Sequence, residues 1–255
     1  MPKKFTDPET GLTIRQRNLL FAVVKEYCEF GQTVSSQDLK EKYGFDVSSA
    51  TIRNEFINLR DLDFLYQPFT NSSSQPTEKS FKLFINQLIG GLQATNEQQS
   101  DLRKQITQLE SKHSNLQREI SKLLAIETKS VGFAVNMNDQ SIAGIKNLLA
   151  DPKSEQVADI LDFLENLDEH KNFLLEHKDD QNYLTSNALS AIFAGDNPVL
   201  PLGRGWAMVA TKAMINKQET VFGVITKPHV LGRQKTLQIV KAVKSALNSS
   251  HRNSK

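Results

Sequence analysis

Apolar positions in the first part of the chain fall on helical stripes that short polar breaks separate. Residues 14–27 place apolar side chains three and four apart, which predicts an amphipathic helix that stops at Gly31. After a short break, Ser35 or Ser36 can cap a second helix over residues 37–43. Two helices in close succession are therefore expected.

A third apolar stripe follows after only a few residues. Ser48 can cap this helix, and its inward positions recur at spacings of four, three and three, at Ile52, Phe56, Leu59 and Leu62. A helix, a tight turn and a second helix at this spacing are typical of a helix-turn-helix unit.

Two apolar segments after the third helix predict a β-hairpin. Residues 64–69 and 80–84 are the expected strands, and the polar segment 71–76 has the composition of a turn. A hairpin behind a recognition helix is a wing, although a small three-helix domain with an ordinary hairpin has the same pattern.

Residues 95–125 contain no Gly, Pro or aromatic residue and repeat apolar positions at alternating spacings of four and three. This heptad pattern fits a parallel two-stranded coiled coil, or a helix that packs on its own domain. The seam, which we take as candidate dimerisation residues, consists of Leu102, Ile106, Leu109, His113, Leu116, Ile120 and Leu123.

The rest of the chain mixes predicted strands with predicted helices. Strands are expected over residues 131–135, 191–195, 206–211 and 221–226, with a turn at 216–218, and helices over 145–149, 157–175 and 235–247. The pattern indicates an α+β domain with a small antiparallel sheet.

Composition adds limits on location and redox chemistry. The 255 residues are 38% hydrophobic and 24% charged, without an apolar run of membrane-spanning length or a secretory leader near Met1, so we expect a soluble, cytoplasmic protein with no membrane partner. The single cysteine, Cys28, excludes a disulfide within the chain and lies in an apolar stripe, which favours a buried thiol.

Charge is distributed unevenly along the chain. Residues 1–90 are net neutral, residues 91–199 carry −7, and residues 200–255 carry +9. The basic segment could contact nucleic acid, or it could offset the acidic middle of the chain.

No constellation of catalytic or cofactor-binding residues stands out. His170 and His177 lie two helical turns apart among acidic residues, which is typical of a solvated face rather than a metal site. Residues 203–205, Gly-Arg-Gly, are too short for a nucleotide fingerprint. We therefore expect no catalytic residue, no metal, no cofactor and no enzyme activity.

The start of the third helix has polar groups with a use beyond capping. Ser48 and Ser49 offer hydroxyls where a helix N-terminus attracts phosphate. Asn54 can pair with adenine, Arg53 with guanine, and the Thr51 methyl with a thymine methyl. The alternative is that Ser48 only caps the helix and Arg53 only pairs with a neighbouring acid such as Glu55 or Asp46.

The segment DVSSATIRNE is the most specific part of a resemblance to the bacterial heat-inducible transcription repressor HrcA family. The resemblance covers residues 12–70 and 76–84, and weaker blocks follow in the family's order at 145–169 and from 193 to 243. It implies a winged helix-turn-helix DNA-binding domain over residues 1–88, a helical linker with a possible coiled coil over residues 89–127, and a truncated GAF-like α+β domain over residues 128–255.

The resemblance also implies a function. Members of the family are dimeric repressors that bind an inverted-repeat operator, called CIRCE, ahead of chaperone genes. The chaperonin GroEL helps them stay active, and heat draws the chaperonin away. Carried over by position, the helix that begins at Ser48 enters the major groove, and the expected DNA contacts are Ser36, Ser48, Ser49, Thr51, Arg53, Asn54, Asn58, Thr70 and Lys79.

Departures from the family pattern modify this expectation. Residues 71–74 replace the usual wing arginine and Gln37 replaces a frequently basic residue, which predicts weaker DNA binding with a shallow salt dependence. The inserted dimerisation subdomain is missing between Val135 and Ser141, so the heptad seam is the hypothetical dimer contact. A second possibility is a regulator whose GAF-like domain senses a small molecule.

Overall fold

A computed structural model describes residues 6–8, 10–69, 73–92, 96–112, 115–150, 157–176, 188–194, 202–203 and 205–252. The chain divides into two compact units, Met1–Ile85 and Asn86–Lys255. Helices accompany a two-stranded and a five-stranded antiparallel sheet, which confirms the α+β class.

The first unit begins with three helices, and each of them has a side-chain cap. The caps are Thr13, Ser35 and Ser48, whose hydroxyls accept from backbone N–H groups of the first turn. The elements in chain order are α1 (Ile14–Phe30), α2 (Ser36–Tyr43), α3 (Ser49–Asp61), β1 (Leu65–Tyr66), β2 (Gln75–Pro76) and α4 (Glu78–Gly91), whose last residues belong to the second unit.

The second strand of the predicted hairpin was placed wrongly. Residues 80–84 are helical, and the strand that pairs with β1 is the short β2. Phe81, Phe84 and Ile85 are all buried, at the spacing of one helix face. The Phe21 and Phe84 rings meet edge-on with centroids 5.4 Å apart, so this face of α4 packs against α1.

The second unit is built on one antiparallel sheet. Its elements are α5 (Asn96–Lys112), α6 (Leu116–Thr128), β3 (Val131–Val135), β4 (Gln140–Ala143), a 3-10 helix (Ile145–Ala150), α7 (Val157–Glu165), α8 (Lys171–Glu176), β5 (Ser190–Phe193), β6 (Ala207–Ile215), β7 (Gln218–Thr226), α9 (Pro228–Leu231) and α10 (Gln234–Arg252). The strand order is β4-β3-β7-β6-β5.

Helices cover both faces of this sheet. Phe133 joins Phe163 of α7 and other apolar side chains in one buried cluster on one face. On the other face, Gly132 lies so close to α6 that a Cβ atom there would stand 2.2 Å from the Ser121 carbonyl oxygen. Helix α10 lies on this second face, where Lys244 reaches Thr211 of β6.

The prediction of one continuous helix over the heptad pattern is wrong. Two helices, α5 and α6, replace it, and the Asn115 side chain caps α6 by accepting from the Arg118 backbone N–H at 3.0 Å. Helix α5 packs against α10 and α6 packs against β3, so the seam residues of both helices pack within the second unit, which is the second of the two interpretations of the heptad pattern. Leu102, Ile106, Leu116, Ile120 and Leu123 are buried, Leu109 is half-buried, and His113 lies outside the described residues.

Most other sequence-based boundaries hold approximately. The predicted strands at 131–135 and 221–226 are found, and Asn216 and Lys217 both adopt positive φ in the turn between β6 and β7. Residues 145–149 lie in a 3-10 helix and residues 157–175 are split into α7 and α8, because turns interrupt the chain between Glu165 and Lys171.

Candidate nucleic-acid interface

Helix α3 has one buried and one exposed face. Ile52, Phe56 and Leu59 are nearly inaccessible to solvent and anchor the helix in the first unit. The side chains on the opposite face lie at i, i+3 and i+4 positions, as expected for a helix surface that a partner can reach. This exposed face consists of Ala50, Arg53, Asn54, Ile57 and Asn58.

A buried carboxylate fixes the orientation of α3. Glu55 Oε1 accepts from Arg15 Nε at 3.1 Å, and Oε2 accepts from Gln16 Nε2 at 3.0 Å, so the carboxylate joins α3 to α1. Asn58 Nδ2 donates to the same Oε2 at 3.2 Å. Burial alone would raise the pKa of Glu55, but the hydrogen bonds from Asn58 and Gln16 and the charge of Arg15 outweigh it and lower the pKa.

The N-terminal turn of α3 is ordered by its own hydroxyls. Ser48 Oγ accepts from the Thr51 backbone N–H at 3.1 Å and lies 2.9 Å from Thr51 Oγ1. Ser48 is exposed, whereas Ser49 and Thr51 are half-buried. This turn presents hydroxyl groups at the positive end of the helix dipole, where an anion is favoured.

Arg53 and Asn54 differ from the polar residues around them. Both side chains are exposed, and among the described residues no ion pair includes Arg53 and no side-chain hydrogen bond includes Asn54. The alternative pairing of Arg53 with Glu55 is ruled out by geometry, because Arg15, Gln16 and Asn58 occupy that carboxylate. A guanidinium and a carboxamide one residue apart are thus available to a partner.

The remaining predicted contacts have other surroundings. Ser36 is half-buried in the first turn of α2. Asn58 is exposed, but its amide is engaged with Glu55. Lys79 is exposed, donates to the Leu62 carbonyl oxygen at 2.9 Å and lies over the Phe64 ring. Thr70 lies outside the described residues.

Polar side chains of the hairpin after α3 form hydrogen bonds with α3 and with each other. Arg60 donates to Ser74 Oγ at 3.1 Å, and the Tyr66 hydroxyl donates to Gln75 Oε1 at 2.5 Å. Tyr66 and Phe69 remain 45% and 77% exposed, so the described part of this hairpin presents aromatic rather than cationic side chains to solvent.

Glu55 is the residue of this region that sequence reasoning missed. It lies between Ile52 and Phe56 on the apolar stripe of α3, and an acid on the buried side of a helix requires a partner. That local signal is visible in the sequence, but the partners of Glu55, Arg15 and Gln16, lie 40 and 39 residues earlier in the chain.

The described residues form no metal site and no membrane span. Their His, Cys, Asp and Glu side chains do not gather in groups of three that could hold a metal ion. His170 stacks on Phe163 with centroids 5.3 Å apart, and His177 lies outside the described ranges. Within those ranges, no helix is long and apolar enough to cross a membrane.

Comparison with solved structures supports the fold. A crystal structure of a hypothetical protein at 2.2 Å resolution superposes with a TM-score of 0.65 and 17% sequence identity, covering 94% of this chain and 99% of the other. At this identity the similarity concerns the fold alone.

Comparison with protein families and curated relatives is more specific. A family model described as the HrcA protein C terminal domain matches residues 48–229. Proteins named heat-inducible transcription repressor HrcA match from Sorangium cellulosum (35% identical over 114 residues, 45% of this chain and 33% of the relative) and from Thermodesulfovibrio yellowstonii (36% over 115 residues, 45% and 30%). A namesake from Mesoplasma florum matches at 29% over 168 residues, 66% of this chain and 49% of the relative.

The matched segments span about a third of the length of the first two of these relatives and about half of the third. The family model, in contrast, covers most of this chain, from the cap of α3 to the start of α9. Because the family model matches well over half of the chain and includes the motif around α3, the chain belongs to the HrcA family.

Proposed function

We propose that this chain is a sequence-specific DNA-binding transcription repressor of heat-shock (chaperone) genes without catalytic activity. The relatives that match it are named heat-inducible transcription repressors. In this proposal, α1 to β2 and the start of α4 form a winged helix-turn-helix, and the second unit is a truncated GAF-like domain. The exposed, uncommitted pair Arg53 and Asn54 on α3 is the observation that carries the proposal.

Helix α3 is the recognition helix in this mechanism. Its buried stripe and the Glu55 network hold it rigidly, so the exposed face enters the major groove without reorganisation. Arg53 pairs with guanine and Asn54 with adenine, each through two hydrogen bonds. The hydroxyl-rich turn at Ser48 meets a phosphate at the edge of the groove.

The target in this proposal is an inverted-repeat operator of the CIRCE type, read by a homodimer. An inverted repeat requires two reading heads at a fixed spacing. Because five of the seven seam residues are buried within the chain, the dimer contact in this proposal uses another surface. Control by the chaperonin GroEL is part of the same proposal by family membership.

The second unit offers a test of the small-molecule alternative. Large side chains fill its sheet core, including the fully buried Phe133, Phe163 and Phe222. A filled core favours control by partners or by temperature over a ligand within that core.

The direct experiment measures operator binding by fluorescence anisotropy with an inverted-repeat duplex taken from upstream of the chaperone genes. Arg53→Ala is expected to weaken binding by about 1–3 kcal/mol, because one bidentate base contact is lost. Lys25→Ala is the matched control: it removes an exposed cation from α1 and is expected to leave specific binding almost unchanged. Equal losses in both variants, or no specific binding by the wild type, would contradict the proposal.

A further inference from the structure

Helix α10 carries two lysines that line a cavity in the second unit. The cavity has a volume of about 310 Å³. Apolar side chains form one part of its wall and polar side chains of α10 form another. Its described lining residues are Ile89, Leu92, Ala188, Leu189, Lys241, Lys244, Ser245 and Asn248.

Lys244 is a buried cation at this cavity. It is only 7% exposed, and its Nζ donates to Thr211 Oγ1 at 2.7 Å. The Thr211 hydroxyl in turn donates to the Ala188 carbonyl oxygen at 2.9 Å, so it acts as the acceptor for the Lys244 ammonium. Two of the three Nζ protons of Lys244 are then available for other acceptors. Burial lowers the pKa of Lys244, as expected for an ammonium removed from water.

No counter-charge for Lys244 is present among the described residues that line the cavity. None of them is Asp or Glu, and no described ion pair includes Lys244. Lys241, at the same cavity, donates to the Leu92 carbonyl oxygen, which carries no net charge either. Among the described lining residues, two ammonium groups therefore face one cavity without a carboxylate, and two buried like charges cost free energy unless an anion offsets them.

Lys212 shows how the same unit neutralises another buried lysine. It is 5% exposed, and its Nζ donates to the Leu175 carbonyl oxygen at 2.5 Å. A carboxylate oxygen of Glu219 lies 3.6 Å from the same Nζ. Lys244 is buried to a similar extent, but none of the described residues that line its cavity is an acid.

From this difference we propose that the cavity binds a small organic anion, whose carboxylate or phosphate group pairs with Lys244 and Lys241. The carbon skeleton of the anion lies against Ile89, Leu92 and Leu189. Ser245 and Asn248 supply further hydrogen-bonding groups at the polar wall. This site is independent of DNA reading by α3, since every lining residue belongs to the second unit.

The test uses the full chain and two probes, inorganic phosphate and butyrate, in isothermal titration calorimetry at constant ionic strength. Saturable binding of either probe is expected, and the stronger probe identifies phosphate or carboxylate as the preferred group. Lys244→Met should weaken that binding at least about tenfold, because it removes the buried charge and keeps the length of the side chain. Lys212→Met is the matched control and should bind the probe like the wild type.

Folding of the variants is checked by circular dichroism and chemical denaturation. Lys244→Met is expected to fold, since replacing an unpaired buried charge by an apolar side chain is often neutral or stabilising. If it does not fold, Lys241→Met, at the half-buried position, replaces it, with an expected loss of roughly threefold to tenfold. Absence of saturable binding, or equal binding by the lysine variants and Lys212→Met, would overturn the proposal.

Discussion

Helices α3 and α6 look alike in the sequence and differ in what they do with their polar side chains. Both have an apolar stripe at spacings of three and four that is buried in their own unit. On α6, Gln117 donates to the Ala134 carbonyl oxygen at 2.9 Å and Ser121 donates to the Ser141 carbonyl oxygen at 3.1 Å. On α3, Arg53 is exposed and has no such partner in the described structure.

The difference separates scaffold from candidate interface. A polar side chain that the fold uses is hydrogen-bonded within the chain, because a buried unpaired group costs about 1–3 kcal/mol. An exposed polar side chain without an internal partner adds little to the stability of the fold. Its donors and acceptors remain available to a binding partner. By this criterion α6 is scaffold and the outer face of α3 is the candidate interface.

The largest expected effect tests whether α6 is scaffold. Ile120 of α6 is fully buried in the second unit, so Ile120→Ala should lower the free energy of unfolding by about 2–5 kcal/mol. Ile126 lies on the same helix and is 72% exposed, so Ile126→Ala should change it by less than about 0.5 kcal/mol. Urea denaturation of the two variants measures both values.

A coiled-coil seam would give a different result. If α6 paired with a second chain through Ile120, the variant would shift the sedimentation coefficient toward a monomer while the unfolding free energy of that monomer stayed close to its original value. Equal and small stability changes in the two isoleucine variants would therefore refute the assignment of α6 to the scaffold.

A smaller effect is expected at Glu55, the group that holds α3 in place. Glu55→Gln keeps the size of the side chain but removes a charge that accepts from Arg15 and Gln16, with an expected loss of about 1–3 kcal/mol in unfolding free energy at pH 7. Operator affinity should fall as well, although Glu55 is buried, because the orientation of α3 depends on it.

The pH dependence of this contribution follows from the lowered pKa of Glu55. The unfolded chain protonates this carboxyl at higher pH than the folded chain, so the stabilisation is fully present above the ordinary pKa of 4.5. It is lost as pH falls through the lower pKa of the folded state. Acid denaturation should show a shallower decline for Glu55→Gln than for the wild type, and parallel curves would contradict the network.

The salt dependence of operator binding is the most modest expectation. The first ninety residues are net neutral, and Arg15 and Lys42 are each engaged with buried acids. The acidic side chains of this segment, equal in number to its cations, offset the attraction to the DNA backbone, so we expect a small net release of counterions. An anisotropy titration between about 50 and 200 mM salt should give a logarithmic slope well below that of roughly eight phosphate contacts, and a slope that steep would contradict the expectation.

Local signals in the sequence were sufficient for much of this molecule. Side-chain caps, closing glycines and helical stripes located α1 to α3, and short apolar runs located strands β3 and β7. These features depend on residues a few positions apart, so a single sequence contains them.

Errors arose where distant residues decide the structure. Residues 80–84 have a strand-like composition, yet packing against α1 makes them helical. The heptad pattern could not show whether its partner was a second copy or the sheet of the same chain. Glu55 is bonded to Gln16, 39 residues away, and Lys244 to Thr211, 33 residues away. Local sequence patterns therefore could not predict these environments.

The central claim is that the exposed face of α3 distinguishes one DNA sequence from another. Its most direct measurement is the ratio of affinities for the inverted-repeat operator and for a scrambled duplex of the same length, in the wild type and in the double variant Arg53→Ala/Asn54→Ala. We predict that the double variant folds normally, keeps its weak affinity for the scrambled duplex and loses most of the ratio, which corresponds to about 2–6 kcal/mol if the two contacts add. An unchanged ratio in a folded double variant would contradict the claim.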